Sequence, residues 1–106
     1  MVKVVWTEPA LQDLNDIAEY IALDKFSAAE KLVSKVFSRV ELLEDSPNSG
    51  RKPPELKRNS RYREVIVGPC RIFYRPTKKE TVILHVMRGE RLLRIYLLDE
   101  RESPDS

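Results

Sequence analysis

The clearest hydrophobic pattern lies in residues 61–94, where three runs are rich in valine, isoleucine, tyrosine and phenylalanine. The runs are Tyr62–Val67, Cys70–Arg75 and Thr81–Met87. Such residues favour strands, and the glycine- and proline-containing segments between the runs favour turns. The pattern therefore predicts a three-stranded antiparallel meander, in which a two-residue turn pairs Val67 with Cys70.

Alternation along these strands assigns every side chain to one of two faces of the sheet. If Arg75 pairs with Thr81 across the second turn, one face is apolar except at its rim and should be covered by helices. This face carries Arg63, Val65, Val67, Cys70, Ile72, Tyr74, Val82, Leu84 and Val86. The other face mixes charged and apolar groups, namely Tyr62, Glu64, Ile66, Arg71, Phe73, Arg75, Thr81, Ile83 and His85. Here Arg71 lies directly across from His85, and we interpret the mixed face as the exposed working surface.

The N-terminal half predicts a strand followed by two helices. Residues 1–6 alternate weakly between apolar and polar positions, as in a short strand. Thr7 offers an N-cap for an amphipathic helix to about Leu23, whose apolar stripe faces the sheet and whose acidic residues, such as Asp13, face away. Ser27 and Glu30 have the spacing of a capping box for a second helix. The short link between the helices predicts an antiparallel αα-hairpin.

The remaining segments complete an α+β fold. Residues 46–60 form a loop by composition, residues 88–90 turn the chain, and residues 92–98 fit either a short helix or another strand. The predicted domain covers residues 1–98, with the hairpin packed on one face of a three- to four-stranded antiparallel sheet. Residues 99–106 are acidic and should form a flexible tail.

Composition narrows the class of protein. A chain of 106 residues with 34% charged and 42% hydrophobic residues is one globular domain. We expect a cytoplasmic protein without membrane contact, because no segment resembles a signal peptide or a membrane span. One cysteine and one histidine exclude an internal disulfide and make a zinc site implausible, and we expect no cofactor.

The net charge of +2 conceals an uneven distribution along the chain. Residues 1–50 contain five Lys/Arg and nine Asp/Glu, residues 51–94 contain thirteen and four, and residues 95–106 contain one and four. The basic middle segment would attract a polyanion or an acidic protein segment. The alternative is a solvated surface that keeps the protein soluble.

A few polar residues of the mixed face have the chemistry of a metal-free nuclease. Arg71 and Arg75 would neutralise a developing phosphorane, His85 would move a proton, and Tyr96 or Glu64 would assist. The competing interpretation is structural: arginines on exposed strands protect edges, a lone histidine packs, and Glu64 forms an ion pair with the arginines diagonal to it. Cys70 lies on the apolar face and is interpreted as a small buried residue.

The order of elements and four motifs resemble the RelE/ParE superfamily of toxins from type II toxin–antitoxin, or plasmid stabilisation, modules. The matching motifs are Trp6–Ile21, Ser46–Arg51, Val67–Arg75 and Val86–Arg91. The chain is more similar to the ParE branch, whose members poison DNA gyrase, than to the RelE branch, whose members cleave messenger RNA on the ribosome.

Only some of the nuclease residues of the RelE branch have a counterpart in this sequence. Arg71 occupies the position of a catalytic arginine, Arg91 approximates a second, and Tyr96 stands for the terminal tyrosine. Of the basic pair on the first meander strand only Arg63 is matched, because Val65 fills the second place. The resemblance therefore implies a non-enzymatic gyrase inhibitor, with a ribosome-dependent endoribonuclease or a non-toxic binding module of the same fold as alternatives.

The resemblance also implies a cognate antitoxin whose flexible C-terminal part folds onto the toxin. A homodimer or a heterotetramer with the antitoxin is compatible with this partner. The residues expected to contact the antitoxin or the target are Arg51, Lys52, Arg63, Arg71, Arg75, Arg88 and Arg91.

Overall fold

The computed structural model describes residues 2–89, 93 and 95–102, and all of their side chains except those of residues 95 and 96. Its elements, in chain order, are β1 (Lys3–Trp6), α1 (Glu8–Ala22), α2 (Phe26–Glu41), a 3₁₀ turn (Leu42–Glu44), β2 (Arg63–Val67), β3 (Cys70–Pro76), β4 (Glu80–Arg88) and α3 (Ile95–Glu102). The α+β class, the helical hairpin and the meander are confirmed. None of the described helices is long and apolar enough to cross a bilayer.

The four strands form one sheet in the order β1-β4-β3-β2. Strands β2, β3 and β4 are antiparallel, but β1 runs parallel to β4, with Lys3 opposite Glu80 and Trp6 opposite Ile83. The prediction of a purely antiparallel sheet was therefore wrong. Parallel strands require a long connection, and the chain between β1 and β4, which includes the helical hairpin, the loop and strands β2 and β3, provides it.

The first helix begins as predicted and the second does not. The Thr7 hydroxyl accepts a hydrogen bond from the Ala10 amide at 3.3 Å, and this caps α1. Helix α2 starts at Phe26, and its N-cap residue Lys25 forms no capping hydrogen bond through its side chain. Ser27 lies inside the first turn, so the predicted Ser27 and Glu30 capping box is wrong.

A β-bulge divides β4 into two halves with different registers. Phe73 pairs with His85 but Tyr74 pairs with Ile83, which leaves Leu84 as the extra residue. Arg71 lies opposite Met87, two residues from the predicted partner His85; the bulge accounts for one of these residues and the register at the β3–β4 turn for the other. The pairing of Arg75 with Thr81 was also wrong, because Arg75 lies opposite Val82.

The bulge exchanges the faces of the N-terminal half of β4. Ile83 packs in the core beneath the helices, whereas Val82 and Leu84 pack on the other side of the sheet. The sequence placed these three residues on the opposite faces. Beyond the bulge the alternation agrees again with the prediction, and Val86 lies in the core with Ile72.

Both faces of the sheet are covered. The helical hairpin covers the face that carries Val65, Ile72 and Tyr74. On the other face a second cluster contains Tyr62, Phe73, Leu84, Met87, Leu93 and Leu98, with the loop residue Leu56 packed against it. The interpretation of this face as an exposed working surface was wrong, because α3 and the loop before β2 lie over it.

Helix α3 crosses the boundary predicted between residues 98 and 99. It runs from Ile95 to Glu102, so the first four residues of the predicted tail are helical. The segment before residue 99 that was predicted as either a helix or a strand is therefore helical from Ile95 onward. Leu98 is fully buried and anchors the helix on the sheet.

Candidate functional site

Four charged side chains of alternating sign lie beside the β2–β3 turn: Arg51, Glu64, Arg71 and Glu55. Glu64 is fully buried and accepts hydrogen bonds from Nε of Arg51 and from Nε of Arg71, each at 2.7 Å. Both terminal nitrogens of Arg71 donate to the two carboxylate oxygens of Glu55, also at 2.7 Å. All three nitrogens of Arg71 are therefore bound by carboxylates, and only 9% of its side chain is exposed.

The turn between β2 and β3 fixes this arrangement. Gly68 has a φ of 55°, a left-handed conformation that glycine adopts without a steric penalty. The resulting two-residue turn places Ile66 opposite Arg71 and Glu64 opposite Phe73. Glu64 and Arg71 consequently lie on one face as a diagonal pair, within reach of each other. The guanidinium of Arg71 also lies 4.9 Å from the centre of the Phe73 ring.

Hydrogen bonds within the cluster and burial shift the pKa values of Glu55 and Arg71. Hydrogen bonding from Arg71 lowers the pKa of the Glu55 carboxyl, and the nearby guanidinium charges act in the same direction. The contacts with Glu55 and Glu64 raise the pKa of Arg71 despite its burial. Glu55 and Arg71 therefore face each other as a charged pair at neutral pH.

A second set of contacts holds the loop that carries Arg51. The backbone of Arg51 forms two hydrogen bonds with the backbone of Glu64, at 2.9 and 3.0 Å. The Tyr74 hydroxyl accepts from the Gly50 amide at 2.9 Å and donates to the Pro47 carbonyl at 2.8 Å. Arg63 donates to the Gly50 carbonyl at 2.8 Å. These contacts place Arg51 against β2.

Asp13, His85 and Arg101 form another polar cluster between α1, β4 and α3. Asp13 accepts from Nη1 of Arg101 at 2.6 Å and from the Val86 amide at 3.1 Å, and it lies 2.7 Å from Nδ1 of His85. Burial would raise the pKa of the Asp13 carboxyl, but these hydrogen bonds outweigh it and the pKa is lowered. The cluster lines a groove of about 830 Å³.

A third cluster joins α3 to the meander. Arg61 and Arg75 both pair with Glu102, and the Tyr62 hydroxyl contacts the carboxylates of Asp99 and Glu102. Burial and the hydrogen bond to Asp99 raise the pKa of Tyr62 to about 12. Tyr62 therefore stays protonated and keeps donating to α3 throughout the physiological pH range.

A family model described as "ParE toxin of type II toxin-antitoxin system, parDE" matches residues 4–93. The chain belongs to the ParE toxin family. A solved structure named "Chromosomal ParDE TA system from P. aeruginosa" is similar, with a TM-score of 0.69 and 26% sequence identity over 85% of this chain and 98% of that chain. No curated protein matches. As a ParE toxin, the protein is the toxin component of a type II toxin–antitoxin system and has an antitoxin as its partner.

In this ParE toxin the residues predicted to act together on the mixed face lie in three separate clusters. Arg71 pairs with Glu55 and Glu64, Arg75 pairs with Glu102, and His85 contacts Asp13 and Arg101. The sequence correctly predicted that Glu64 forms an ion pair with Arg71, but it placed this pair at the surface and the structure buries it.

The other predicted contact residues differ in their accessibility. Arg51 has 57% of its side chain exposed, and the exposed Lys52 donates to the Ser60 carbonyl. Arg63 is half-buried at the Gly50 carbonyl, and the Arg88 guanidinium lies 4.9 Å from the centre of the Tyr20 ring. Arg91 and the side chain of Tyr96 lie outside the described residues.

Several residues of the clusters were not predicted from the sequence. Asp13 faces β4 and Arg101, although the periodicity of α1 placed it toward solvent: it contacts His85, the Val86 amide and Arg101. Glu55 is one acidic residue within a basic loop, and no local pattern links it to Arg71. Arg101 lies in the acidic segment, where its single positive charge was the only available signal.

Proposed function

We propose that this ParE-family toxin inhibits DNA gyrase without enzymatic chemistry of its own, and that binding of a cognate antitoxin neutralises it. The observation that carries this proposal is the family match over residues 4–93, which spans both helices, the meander and the cluster around Arg71. The resemblance to ParE motifs in the sequence supports the same target.

The state of Arg71 supports a non-enzymatic mechanism. A nuclease needs cations that are free to stabilise negative charge as it develops on phosphate. Arg71 is occupied by Glu55 and Glu64, so it would have to lose a carboxylate before it contacted a phosphate. Val65, at the place of the second basic residue of the nuclease set, is 3% exposed and packs in the core. These two positions argue against messenger RNA cleavage.

The direct test is a gyrase assay with purified protein. The toxin should block supercoiling of relaxed plasmid and raise the amount of linear plasmid recovered after denaturing the gyrase–DNA complex. Prior incubation with the antitoxin, expected as a small protein encoded beside the toxin, should abolish both effects. Unchanged gyrase activity at micromolar toxin would exclude the proposal.

Two further measurements separate the alternatives. A ribosome-dependent nuclease would cleave messenger RNA in a translation extract and would lose this activity in Arg71→Gln. A non-toxic binding module would leave bacterial growth unchanged when expressed alone. The gyrase proposal requires arrested growth, intact messenger RNA and accumulated gyrase–DNA complexes.

A further inference from the structure

The two carboxylates that bind Arg71 differ in how firmly the fold holds them. Glu64 is fully buried in β2, its backbone amide and carbonyl both pair with Arg51, and two arginines bind its side chain. Glu55 lies in the loop before β2, and 29% of its side chain is exposed. Its carboxylate oxygens accept hydrogen bonds from the terminal nitrogens of Arg71. A change of the Glu55 rotamer would release these nitrogens without unfolding the loop.

A cavity of about 350 Å³ lies next to this pair of residues. Its lining includes Arg51, Arg71, Ile66 and the Gly68-Pro69 turn. The cavity therefore borders both arginines and the surface of β2. An anionic group that entered it would be within reach of the nitrogens that Glu55 now occupies.

The charges favour an incoming anion only if Glu55 leaves. Arg51 and Arg71 together carry two positive charges, and Glu64 supplies one negative charge in a buried position. With Glu55 displaced, one positive charge remains uncompensated in a poorly solvated place, where it is costly. One carboxylate from a partner would restore neutrality with the same bidentate geometry that Glu55 has now.

The sheet edge indicates what kind of molecule would carry this carboxylate. Strand β2 is at the edge of the sheet, and Ile66 is 50% exposed beside the cavity. In the antiparallel ladder with β3, the backbone groups of Glu64 and Ile66 point away from β3. Arg51 pairs with Glu64, and the edge at Ile66 lies next along the strand. An extended peptide can pair with such an edge, whereas a nucleic acid strand cannot.

We propose that Arg71 anchors an aspartate or glutamate of an extended partner segment that adds to the β2 edge at Ile66, and that Glu55 occupies this place in the free protein until the partner displaces it. The proposal rests on the proposed function only in taking the antitoxin as the natural source of the segment. Glu55 thus acts as an internal competitor that keeps Arg71 paired before the complex forms.

A defined peptide tests the displacement without gyrase or antitoxin. The probe is a fluorescein-labelled hexapeptide of alternating valine and glutamate, and its binding is followed by fluorescence anisotropy. Glu55→Gln should tighten binding about tenfold, because the probe no longer competes with a charge-assisted hydrogen bond. The double variant Glu55→Gln/Arg71→Gln should lose this gain. Glu41→Gln removes the same charge from the exposed end of α2 and should change affinity less than about twofold.

The outcomes that overturn the proposal are distinct. If Glu55→Gln and Glu41→Gln raised the affinity for the peptide equally, no carboxylate exchange would occur at Arg71. The same conclusion would follow if Glu55→Gln raised the affinity for the matching valine–glutamine peptide as much as that for the valine–glutamate peptide. A different result would be that Glu55→Gln tightens the binding of a short oligothymidylate of equal charge as much as it tightens the binding of the valine–glutamate peptide. In that case the site accepts phosphodiesters and the peptide assignment is wrong.

Unmodified protein provides a second measurement in case a variant folds poorly. In nitrogen-15 spectra, saturating valine–glutamate peptide should shift the Nη signals of Arg71 and leave its Nε signal, which reports on Glu64, in place. Unmoved Nη signals would also overturn the proposal. A negative gyrase assay would leave this inference standing, and failure here would leave the gyrase proposal standing.

Discussion

Glu64 and Arg71 form a buried ion pair at 2.7 Å across neighbouring strands, and Glu64 has no exposed surface. The pair links the meander to the loop, because Glu64 also holds Arg51 and Arg71 also holds Glu55. Burying a charge is costly unless it is paired and hydrogen-bonded, and here each buried charge has two partners. Arg71 is thus part of the packed structure of this toxin as well as a candidate binding residue.

The first prediction concerns the charge of Glu64. Glu64→Gln keeps the shape of the side chain but leaves Arg71 and Arg51 facing a neutral amide in a buried place. We expect a loss of about 3 kcal/mol in the free energy of unfolding, measured by urea denaturation. The control Glu41→Gln changes an exposed residue and should cost less than about 0.5 kcal/mol. Equal stabilities of the two variants would contradict the structural role of the pair.

The second prediction concerns the close approach of the loop at Gly50. A Cβ atom at Gly50 would lie 2.5 Å from the Tyr74 hydroxyl and 2.6 Å from the Glu64 carbonyl oxygen. Gly50→Ala must therefore displace the loop and break its hydrogen bond to Tyr74, at a cost of about 2 kcal/mol in thermal or urea unfolding.

Gly89→Ala is the matched control for Gly50→Ala. At Gly89 the nearest atom to an added Cβ among the described residues, the Pro69 carbonyl oxygen, is 3.6 Å away, which is an ordinary contact. This variant should retain nearly the full stability of the unmodified protein. A Gly50→Ala protein as stable as Gly89→Ala would mean that the loop has room that the structure does not show.

Most of the fold followed from local sequence signals. Thr7, the αα-hairpin and the Gly68-Pro69 turn each depend on residues close together in the chain, and these predictions were confirmed. The direction of β1 did not follow, because a strand joined to the sheet through two helices can pair in either direction. The bulge at Leu84 also had no local signal, since Leu84 and its neighbours are apolar on both sides of it.

The candidate site was less predictable than the fold because its partners are distant in the chain. Glu64 and Arg71 come from one hairpin, and strand register alone placed them together. Glu55 reaches Arg71 through the path of an irregular loop, and Asp13 reaches Arg101 across most of the chain. Two errors of one residue each, one in the register at the β3–β4 turn and one at the bulge, put His85 beside Arg71 in the prediction, whereas it lies beside Phe73 in the structure.

The third prediction concerns acid stability. The pKa values of Asp13 and Glu55 lie below their ordinary values of 3.8 and 4.5 in the folded protein, so the unfolded chain takes up protons first as the pH falls. Their contribution to stability is complete above about pH 5 and is lost as the pH falls through the lowered folded values. Unfolding free energies between pH 3 and 7 should therefore decrease toward acid.

Asp13→Asn isolates one of these two contributions. The variant should be less stable at pH 7 because Arg101 and the Val86 amide lose their ionised acceptor. Its stability should also change less steeply with pH below about pH 4, since one of the linked carboxyls is absent. Asp24→Asn, which removes an exposed carboxylate at the turn between the helices, is the control. An acid slope in Asp13→Asn as steep as in the unmodified protein would contradict the role of the cluster.

The last prediction concerns association with the proposed target. Arg51 and Lys52 are exposed on the loop beside β2 and belong to the basic middle segment of the chain. If this loop approaches gyrase on DNA, the double variant Arg51→Gln/Lys52→Gln should associate about fivefold more slowly at low salt, because exposed charges act mainly on association rates. The difference should shrink as salt screens these charges. Lys31→Gln/Lys35→Gln makes the same charge change on the exposed side of α2 and should retain nearly the original rate. The measurement is the rate of binding to immobilised gyrase–DNA complexes, and melting curves verify that the variants fold. Equal slowing in both double variants would show that net charge matters and this loop does not.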